Sequence, residues 1–372
     1  MTLSECLAGK PLFYTLFDPE RMRNVWQRIR SEIPLPPVIH VVGTNGKGTT
    51  GRFLAEYLLR QGLRVGHYTS PHIHRFNERI WLNGHPAGDA LLEESHAALQ
   101  SILTQEESDS LSYFEYTTLL AAVLYANRCD RVVMEAGLGG EYDATAVFDA
   151  ELFILTPVGL DHQSFLGETI EEVATTKLAA MRCEGVIALQ NEPAVYDLAT
   201  KRSKITGFPV HFVKDHFDSS AFADYLDANR ATATLAARTL GFDAQPSHMG
   251  ETTLFGRFSP LGENVIVDVG HNPLAAQAIG KKLGERKVIL VYNTLEDKDY
   301  ETILWILKPN ILRVEIIKIY DERAVDTEQL KSVLERLEIP YADFVHTDTL
   351  NDYLVFGSFK TVEAFCKRMN EE

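Results

Sequence analysis

The chain offers nothing to cross-link and little with which to grip an anionic polymer. Its four cysteines, Cys6, Cys129, Cys183 and Cys366, are scattered through 372 residues with no Cys-x-x-Cys pair. That scatter excludes a disulfide framework and a zinc ribbon, and reads as reduced thiols in a cytosolic protein. No apolar run approaches the ~20 residues that span a bilayer. The first ten residues lack the charged-then-apolar pattern of a secretory leader. The expectation is a cytoplasmic protein with no membrane partner. Positive charge is in deficit too: 36 Lys and Arg face 52 Asp and Glu, a formal net charge of −16. Coating nucleic acid takes a basic face, so no nucleic-acid partner is expected. Any anionic ligand must be held by local devices such as loop amides, a few cations or a metal. There is no internal repeat and no low-complexity tract.

What is present is an ordinary globular balance, 45% apolar and 24% charged residues, at a length that suggests about two or three domains. Within it, the segment from Val38 to Thr50 carries the strongest signal: a short apolar run, then a loop holding Gly43, Gly46, Lys47 and Gly48, then helical periodicity from Gly51 to Arg60. Strand, glycine loop, lysine, hydroxyl and helix in that order make a phosphate cradle. The glycines let amide N–H groups turn toward anionic oxygens, Lys47 adds a charge, and Thr49 or Thr50 offers a hydroxyl to phosphate or metal. The loop is not a strict Walker A sequence, because position 41 is Val and Gly48 directly follows Lys47.

Along the chain, apolar spacing predicts a helix from Glu20 to Ile33, stopped by Pro34, Pro36 and Pro37. Strands are expected at Leu63 to Tyr68, Arg131 to Met134 and Leu152 to Thr156, and helices at Leu91 to Leu103, Tyr116 to Asn127 and Ala221 to Leu240. The polar stretch Phe242 to Glu251 contains Pro and Gly and reads as a linker. Beyond it a second βαβ series begins, with strands at Val265 to Val267, Lys287 to Tyr292 and Val314 to Ile319 and helices at Leu274 to Leu283 and Tyr300 to Leu307. This predicts a second, smaller α/β domain of about 110 residues.

Polar residues collect just past the expected strand ends, where open parallel sheets bind ligands. Ser70, Glu135, His162 and Lys177 follow successive strands, and a hydroxyl, a carboxylate and an imidazole around a nucleotide suit Mg²⁺ bridging phosphates. Each alone has an ordinary structural reading; their shared topology argues for a site. In the second domain, Asp268 to Pro273 links a strand to a helix. Pro273 suits the helix start, Asn272 suits its cap, and Asp268 and His271 are expected at the edge of a cleft.

These motifs come in a fixed order. They are Gly43 to Thr49, Thr69 to His72 with Phe76 to Ile80, Glu135 to Gly140 with Asp143 to Thr145, and Gly159 to His162 with Leu166 to Thr169. Gly256-Arg257, Asp268 to Pro273, Glu296 to Asp299 and Phe356 to Phe359 complete them. Together they resemble the folylpolyglutamate synthase and dihydrofolate synthase family of the Mur ligase superfamily, over nearly the whole chain. The resemblance implies an α/β fold: a P-loop ATP-binding domain of Mur-ligase type at 1–245, a linker at 246–256, and a smaller Rossmann-like C-terminal domain at 257–372, with the site at their junction. It implies ATP on Asn45, Gly46, Lys47, Gly48, Thr49 and Thr50, with adenosine contacts on Asn229, Arg257 and Asp268. Mg²⁺ would be held by Ser70, Glu135, His162 and a carbamylated Lys177, with room for a monovalent cation. The pterin or folate would meet Ser112, Tyr113, Phe114, Glu115, Tyr142, Asp143 and Ala144. Lys47, Lys177, His162 and His271 would be the catalytic set, His271 positioning the incoming amino acid or the acyl phosphate. The implied reaction joins L-glutamate to dihydropteroate, or to the glutamate of a reduced folate, by way of an acyl phosphate, in a monomeric enzyme.

Three departures from the family pattern stand out. Glu141 occupies a position commonly Arg and Ala146 one commonly Asn; Phe255 replaces Pro before Gly256; and Val269-Gly270 replaces Gly-Ala. The reversed charge at Glu141 bears on which anionic substrate sits nearby. Three alternatives compete. A cell-wall Mur ligase is expected to carry a separate domain ahead of the P-loop, where only about 40 residues stand. A non-catalytic nucleotide-binding scaffold is opposed by Lys47, Glu135, His162 and Lys177 occurring together. A folylpolyglutamate synthase without the dihydrofolate synthase activity shares every motif.

Overall fold

In the computed structural model the described residues are 1–11, 18–214, 224–250 and 254–371. The expected helix start at Ala221 and the expected linker residues 251–253 lie outside them. The chain divides into two compact units. The first comprises Met1–Val158, Phe165–Phe217 and Ala228–Thr252; the second comprises Gly159–Ser164, Asp218–Asp227 and Thr253–Glu372.

The first unit is built on eight strands: Val38–Val42 (β1), Val65–Tyr68 (β2), Ile80–Leu82 (β3), His85–Pro86 (β4), Arg131–Glu135 (β5), Ala150–Leu155 (β6), Gly185–Ile187 (β7) and Val210–Phe212 (β8). Their spatial order is β4-β3-β2-β5-β1-β6-β7-β8. All pairings are parallel except those of β3 with β2 and β4, so an antiparallel hairpin edges a parallel sheet. The central strands β1, β2 and β5 to β7 are almost entirely buried, which is why they read as mostly apolar runs, interrupted at positions such as His40 and His67, rather than as alternating ones. β1 lies at the switch point, with β5 on one side and β6 on the other; ligand crevices open beyond the carboxyl ends of strands at such points.

Helices cover both faces. On one, Arg21–Ile29, Asp89–Ile102 and Tyr113–Tyr125 bury Trp26, Ile29, Leu99, Tyr116 and Leu120 against β1, β2 and β5. On the other, Lys47–Arg60 and Asp224–Thr239 bury Phe53, Leu54, Leu58, Ala233 and Ala236. The Tyr113–Tyr125 helix is apolar nearly all round and begins three residues before its apolar spacing suggested. Ser112 and Glu115 close a reciprocal capping box at its start.

The second unit holds Ser259–Pro260 (β9), Val265–Val267 (β10), Val288–Tyr292 (β11), Ile311–Ile316 (β12), Tyr341–Asp343 (β13) and Tyr353–Phe356 (β14). Their order is β13-β12-β11-β14-β10-β9, parallel apart from β9. Helix Pro273–Leu283 follows β10 with Pro273 in its first turn, and the Asn272 side chain accepts from Ala275 N–H at 2.9 Å. Among the described residues no helix is long and apolar enough to cross a membrane.

Candidate active site

The loop after β1 is shaped by contacts that only glycine permits. Gly43 has φ +153°, and a β-carbon on it would overlap the Thr156 hydroxyl beyond β6; Gly46 is left-handed at φ +81°, with its α-carbon against the Asn229 amide. Thr44 and Asn45 both donate backbone N–H to the Pro157 carbonyl, at 3.0 and 3.2 Å, which ties the loop to the end of β6. Helix Lys47–Arg60 then starts with no side-chain cap. Its first amides therefore point out of the helix without an internal acceptor, beside the positive end of its dipole. Lys47 folds its ammonium back onto the Gly43 and Thr44 carbonyls, at 3.3 and 3.1 Å. Thr50 donates its hydroxyl to Asn229 Oδ1 at 3.3 Å, whereas the buried Thr49 hydroxyl has no hydrogen-bond partner. A buried hydroxyl left unmatched at an uncapped helix start suits a phosphate oxygen or a phosphate-bound metal.

Glu135, 4% exposed at the end of β5, accepts from the Thr69 hydroxyl and from Ser70 N–H, the latter at 3.2 Å. The Ser70–Pro71 peptide is cis. Lys177, 3% exposed on helix Ile170–Leu178, donates to the Gly43 carbonyl at 3.0 Å, so its amine reaches the phosphate loop. The glycine run after Glu135 threads a narrow gap. A β-carbon on Gly137 would lie 2.7 Å from the Phe114 ring, and one on Gly140 would lie 2.6 Å from the Thr176 carbonyl and 2.8 Å from Lys177 Cα. Asp143 braces the run from below, accepting Leu138 N–H at 2.8 Å and the Thr145 N–H and hydroxyl at 2.9 and 2.5 Å. Burial raises the Asp143 pKa, and those hydrogen bonds oppose the rise. Thr145 also meets Nε2 of His40 on β1 at 2.8 Å; burial, with the Arg182 charge, lowers that imidazole to about 4 and keeps it neutral.

The residues expected against the pterin divide into two kinds. Ser112 and Glu115 form the capping box, and Glu115 also pairs with Arg21 at 3.1 Å. Tyr113 and Phe114 between them are only partly buried: Tyr113 lies under the Arg79 guanidinium, 5.3 Å from ring centre to Cζ, and Phe114 lies against Tyr68 and Gly137. Tyr142 is 51% exposed while Asp143 and Ala144 are buried. Glu141 faces Arg182 at 3.9 Å.

In the second unit, His162 is half-buried with φ +52°, its N–H donated to the Asp161 carboxylate at 2.9 Å. Desolvation, with the Lys298 and His271 charges, lowers its imidazole to about 4 against the pull of Asp161. His271 has an oxygen at each ring nitrogen: the Val269 carbonyl 3.0 Å from Nδ1 and Asp161 3.3 Å from Nε2. Asp268 is fully engaged by protein donors, Gly270 N–H on one oxygen at 2.8 Å, and Phe258 N–H at 2.8 Å and the Tyr225 hydroxyl at 2.7 Å on the other. Arg257 lies over the Phe359 ring, 5.1 Å from its centroid. Among the described residues, no three His, Cys, Asp or Glu side chains gather as a metal cluster. Sequence reasoning passed over Thr156, Asp161, Arg79 and Lys298. Asp161 and Lys298 lay in view inside Gly159 to His162 and Glu296 to Asp299, but nothing in either motif joins the two.

No family model matches the chain. Individual relatives do. The dihydrofolate synthase/folylpolyglutamate synthase of Haemophilus influenzae is 33% identical over an alignment of 405 positions, covering 93% of this chain and 92% of that protein. The crystal structure of Helicobacter pylori folylpolyglutamate synthetase superposes with a TM-score of 0.80 at 38% identity, over 100% of this chain and 98% of that one. The Yersinia pestis bifunctional folylpolyglutamate synthase/dihydrofolate synthase, in complex with AMPPNP and a Mn ion, superposes with a TM-score of 0.86 at 26% identity, with the same coverage of 100% and 98%. The fold is the two-domain α/β Mur-ligase type. With its ordered motifs, its phosphate loop and this likeness over nearly its full length, the chain belongs to the dihydrofolate synthase/folylpolyglutamate synthase family.

Proposed function

We propose that the chain is an ATP-dependent ligase that joins L-glutamate to dihydropteroate and to the glutamate carboxylate of reduced folates, releasing ADP and phosphate. The observation that carries the reading is the buried, partnerless Thr49 hydroxyl at the uncapped start of helix Lys47–Arg60, with Lys47 folded over the same loop. A resting carboxylate is a poor electrophile toward an amine, because resonance and negative charge protect it. Transfer of the γ-phosphoryl group to it creates an acyl phosphate with a good leaving group. The glutamate amine then attacks the acyl carbon, the C–O bond to phosphate breaks, and the amine proton is lost as the amide forms. Phosphoryl transfer asks mainly for positioning and charge neutralisation. The loop amides at 46–49 and Lys47 supply both to the phosphates. A bound Mg²⁺ supplies Lewis-acid neutralisation of the phosphate oxygens. Ser70, Glu135, His162 and Lys177 are the residues that would hold it, Lys177 in its carbamylated form, in which the amine has added CO₂ and released a proton to become an anionic ligand. Tyr113, Phe114 and Tyr142 offer aromatic surface to the pterin, and the buried Asp143 holds the glycine run that carries Tyr142. Asn229 and Arg257 are assigned to the adenosine; Asp268, with both oxygens already engaged, acts on it through Gly270 and Phe258. A P-loop domain at 1–245, a linker at 246–256 and a C-terminal domain at 257–372, a cytoplasmic monomer and room for a monovalent cation complete the reading.

Two observations favour a second reading, folylpolyglutamate synthase alone. The acidic Glu141 precedes Tyr142 in the run assigned to the pterin, and the Helicobacter pylori protein, 38% identical, is named folylpolyglutamate synthetase. Phosphate release measured with glutamate and either dihydropteroate, tetrahydrofolate or no acceptor decides between them. Release with both acceptors supports the bifunctional enzyme, and release with tetrahydrofolate only supports the second reading. No stimulation by either acceptor would overturn both.

A further inference from the structure

Asp161 has no part in the reaction as written, yet four nitrogens of the second unit converge on it. Oδ1 accepts the His162 backbone N–H at 2.9 Å and the Lys298 ammonium at 2.8 Å. Oδ2 faces Nε2 of His271 at 3.3 Å and Nδ2 of Asn272 at 3.4 Å. Two nitrogens on each oxygen occupy the four sites a carboxylate offers. The pair at its centre is dry, the Asp161 side chain 10% and the Lys298 side chain 6% exposed, and Lys298 also touches Asp297 at 3.2 Å. Three elements are thereby tied to one group: the segment 159–164, the turn before helix Pro273–Leu283 and the turn before helix Tyr300–Leu307.

The hub acts on backbone shape as well as on charge. His162 sits at φ +52°, a conformation that a residue with a β-carbon keeps only when its surroundings hold it there. The N–H bond to Asp161 fixes the peptide plane from which that left-handed turn starts, and Lys298 and His271 keep Asp161 from turning away. Because the direction of an imidazole follows from its backbone, whatever fixes the 161–162 peptide plane helps to aim the His162 ring. The same carboxylate pins the His271 ring, whose other nitrogen is already on the Val269 carbonyl.

The geometry points to Asp161 as a positioning residue of the ligase, setting His162 and His271 together, with Lys298 as the cation that holds it in place. This rests on the reading of His162 as a metal ligand. The test is Mn²⁺ binding by the full chain in the presence of AMPPNP, followed by electron paramagnetic resonance, together with backbone amide exchange at His162. Asp161→Ala is expected to raise the Mn²⁺ concentration for half-saturation by about tenfold or more, the range over which outer partners tune metal affinity. Its metal-free AMPPNP affinity stays unchanged. Asp161→Asn, whose amide oxygen still accepts the His162 N–H, recovers a large part of that loss. A merely structural role lowers the unfolding temperature but leaves the Mn²⁺ titration where it was, and half-saturation within about twofold of wild type overturns the proposal. Amide exchange needs no metal and so separates this proposal from the ligase reading. A His162 amide protected in wild type and fast in Asp161→Ala upholds the hub even in a chain that binds no Mn²⁺–AMPPNP, an outcome that overturns the ligase reading instead. An unprotected wild-type amide overturns the hub. If Asp161→Ala does not fold, Lys298→Met makes the same comparison with the carboxylate retained: a shift of about threefold or more supports the hub, and an unmoved titration refutes it.

Discussion

Thr49→Val separates a phosphate-binding hydroxyl from a structural one, because the two roles predict opposite signs. Thr49 is 1% exposed and its hydroxyl has no partner. Burying a hydroxyl without a hydrogen bond costs about 1–3 kcal/mol. Valine keeps the branched shape and replaces the hydroxyl with a methyl group, so the ligand-free protein should lose nothing and gain up to ~1 kcal/mol. In the nucleotide complex the same change removes a hydrogen bond to a charged oxygen or a metal contact, worth ~1.5–3 kcal/mol, equivalent to roughly 10- to 150-fold weaker binding. Urea unfolding of the ligand-free chain and calorimetric titration with a magnesium complex of an ATP analogue measure the two effects on one variant. A variant whose ligand-free form loses more than ~1 kcal/mol while its nucleotide affinity stays within about twofold of wild type would refute the reasoning. The hydroxyl would then serve the fold and not the phosphate.

Other outcomes follow from the same geometry. Lys47→Ala should abolish acceptor-stimulated phosphate release, since the ammonium over the Gly43 and Thr44 carbonyls is the charge assigned to the γ-phosphate; a steady-state assay with turnover intact would remove it from that role. Gly140→Ala drives a β-carbon into the Thr176 carbonyl and Lys177 Cα, at 2.6 and 2.8 Å, and neither is the end of a flexible side chain. Its expected cost is ~1–3 kcal/mol of stability, with kcat falling more than nucleotide affinity, read from thermal unfolding and initial rates. The buried His40 is depressed from 6.5 to about 4, so between those values the unfolded chain binds a proton that the folded chain refuses. Stability is therefore full above ~6.5 and falls as the pH drops toward ~4, by up to roughly 3 kcal/mol from this group. A urea-midpoint series from pH 7.5 to 4.5 should slope less steeply in His40→Gln, and equal slopes would rule out the assignment. Asp143→Ala frees the Leu138 and Thr145 amides, and is expected to raise KM for the pterin substrate well above that for ATP in two-substrate kinetics.

Much of the scaffold was legible because its signals are local. The buried parallel strands β1, β5, β6, β10 and β11 read as mostly apolar runs, and the starts of helices Lys47–Arg60 and Pro273–Leu283 were marked by glycine and by Asn-Pro. The β3–β4 hairpin was not legible, because a three-residue and a two-residue strand give no periodicity to count. Helix Tyr113–Tyr125 began earlier than its apolar spacing suggested, since the capping box at Ser112 and Glu115 decides the start. The two units are not contiguous in sequence: the short segment 159–164 groups with the second one. Grouping of that kind depends on packing between segments far apart in the chain.

By itself the sequence determined the phosphate loop, the order of the motifs and hence the family, because glycine, lysine and hydroxyl spacing acts through the few residues on either side. Only the tertiary structure decided which polar groups have work already. It left the Thr49 hydroxyl without a partner, engaged Ser112, Glu115 and Asp268 with protein donors, and gathered His162, His271 and Lys298 on Asp161. Hydrogen-bond satisfaction is settled by neighbours that can lie more than a hundred residues away, as Lys298 lies 137 from Asp161, and no local pattern encodes it.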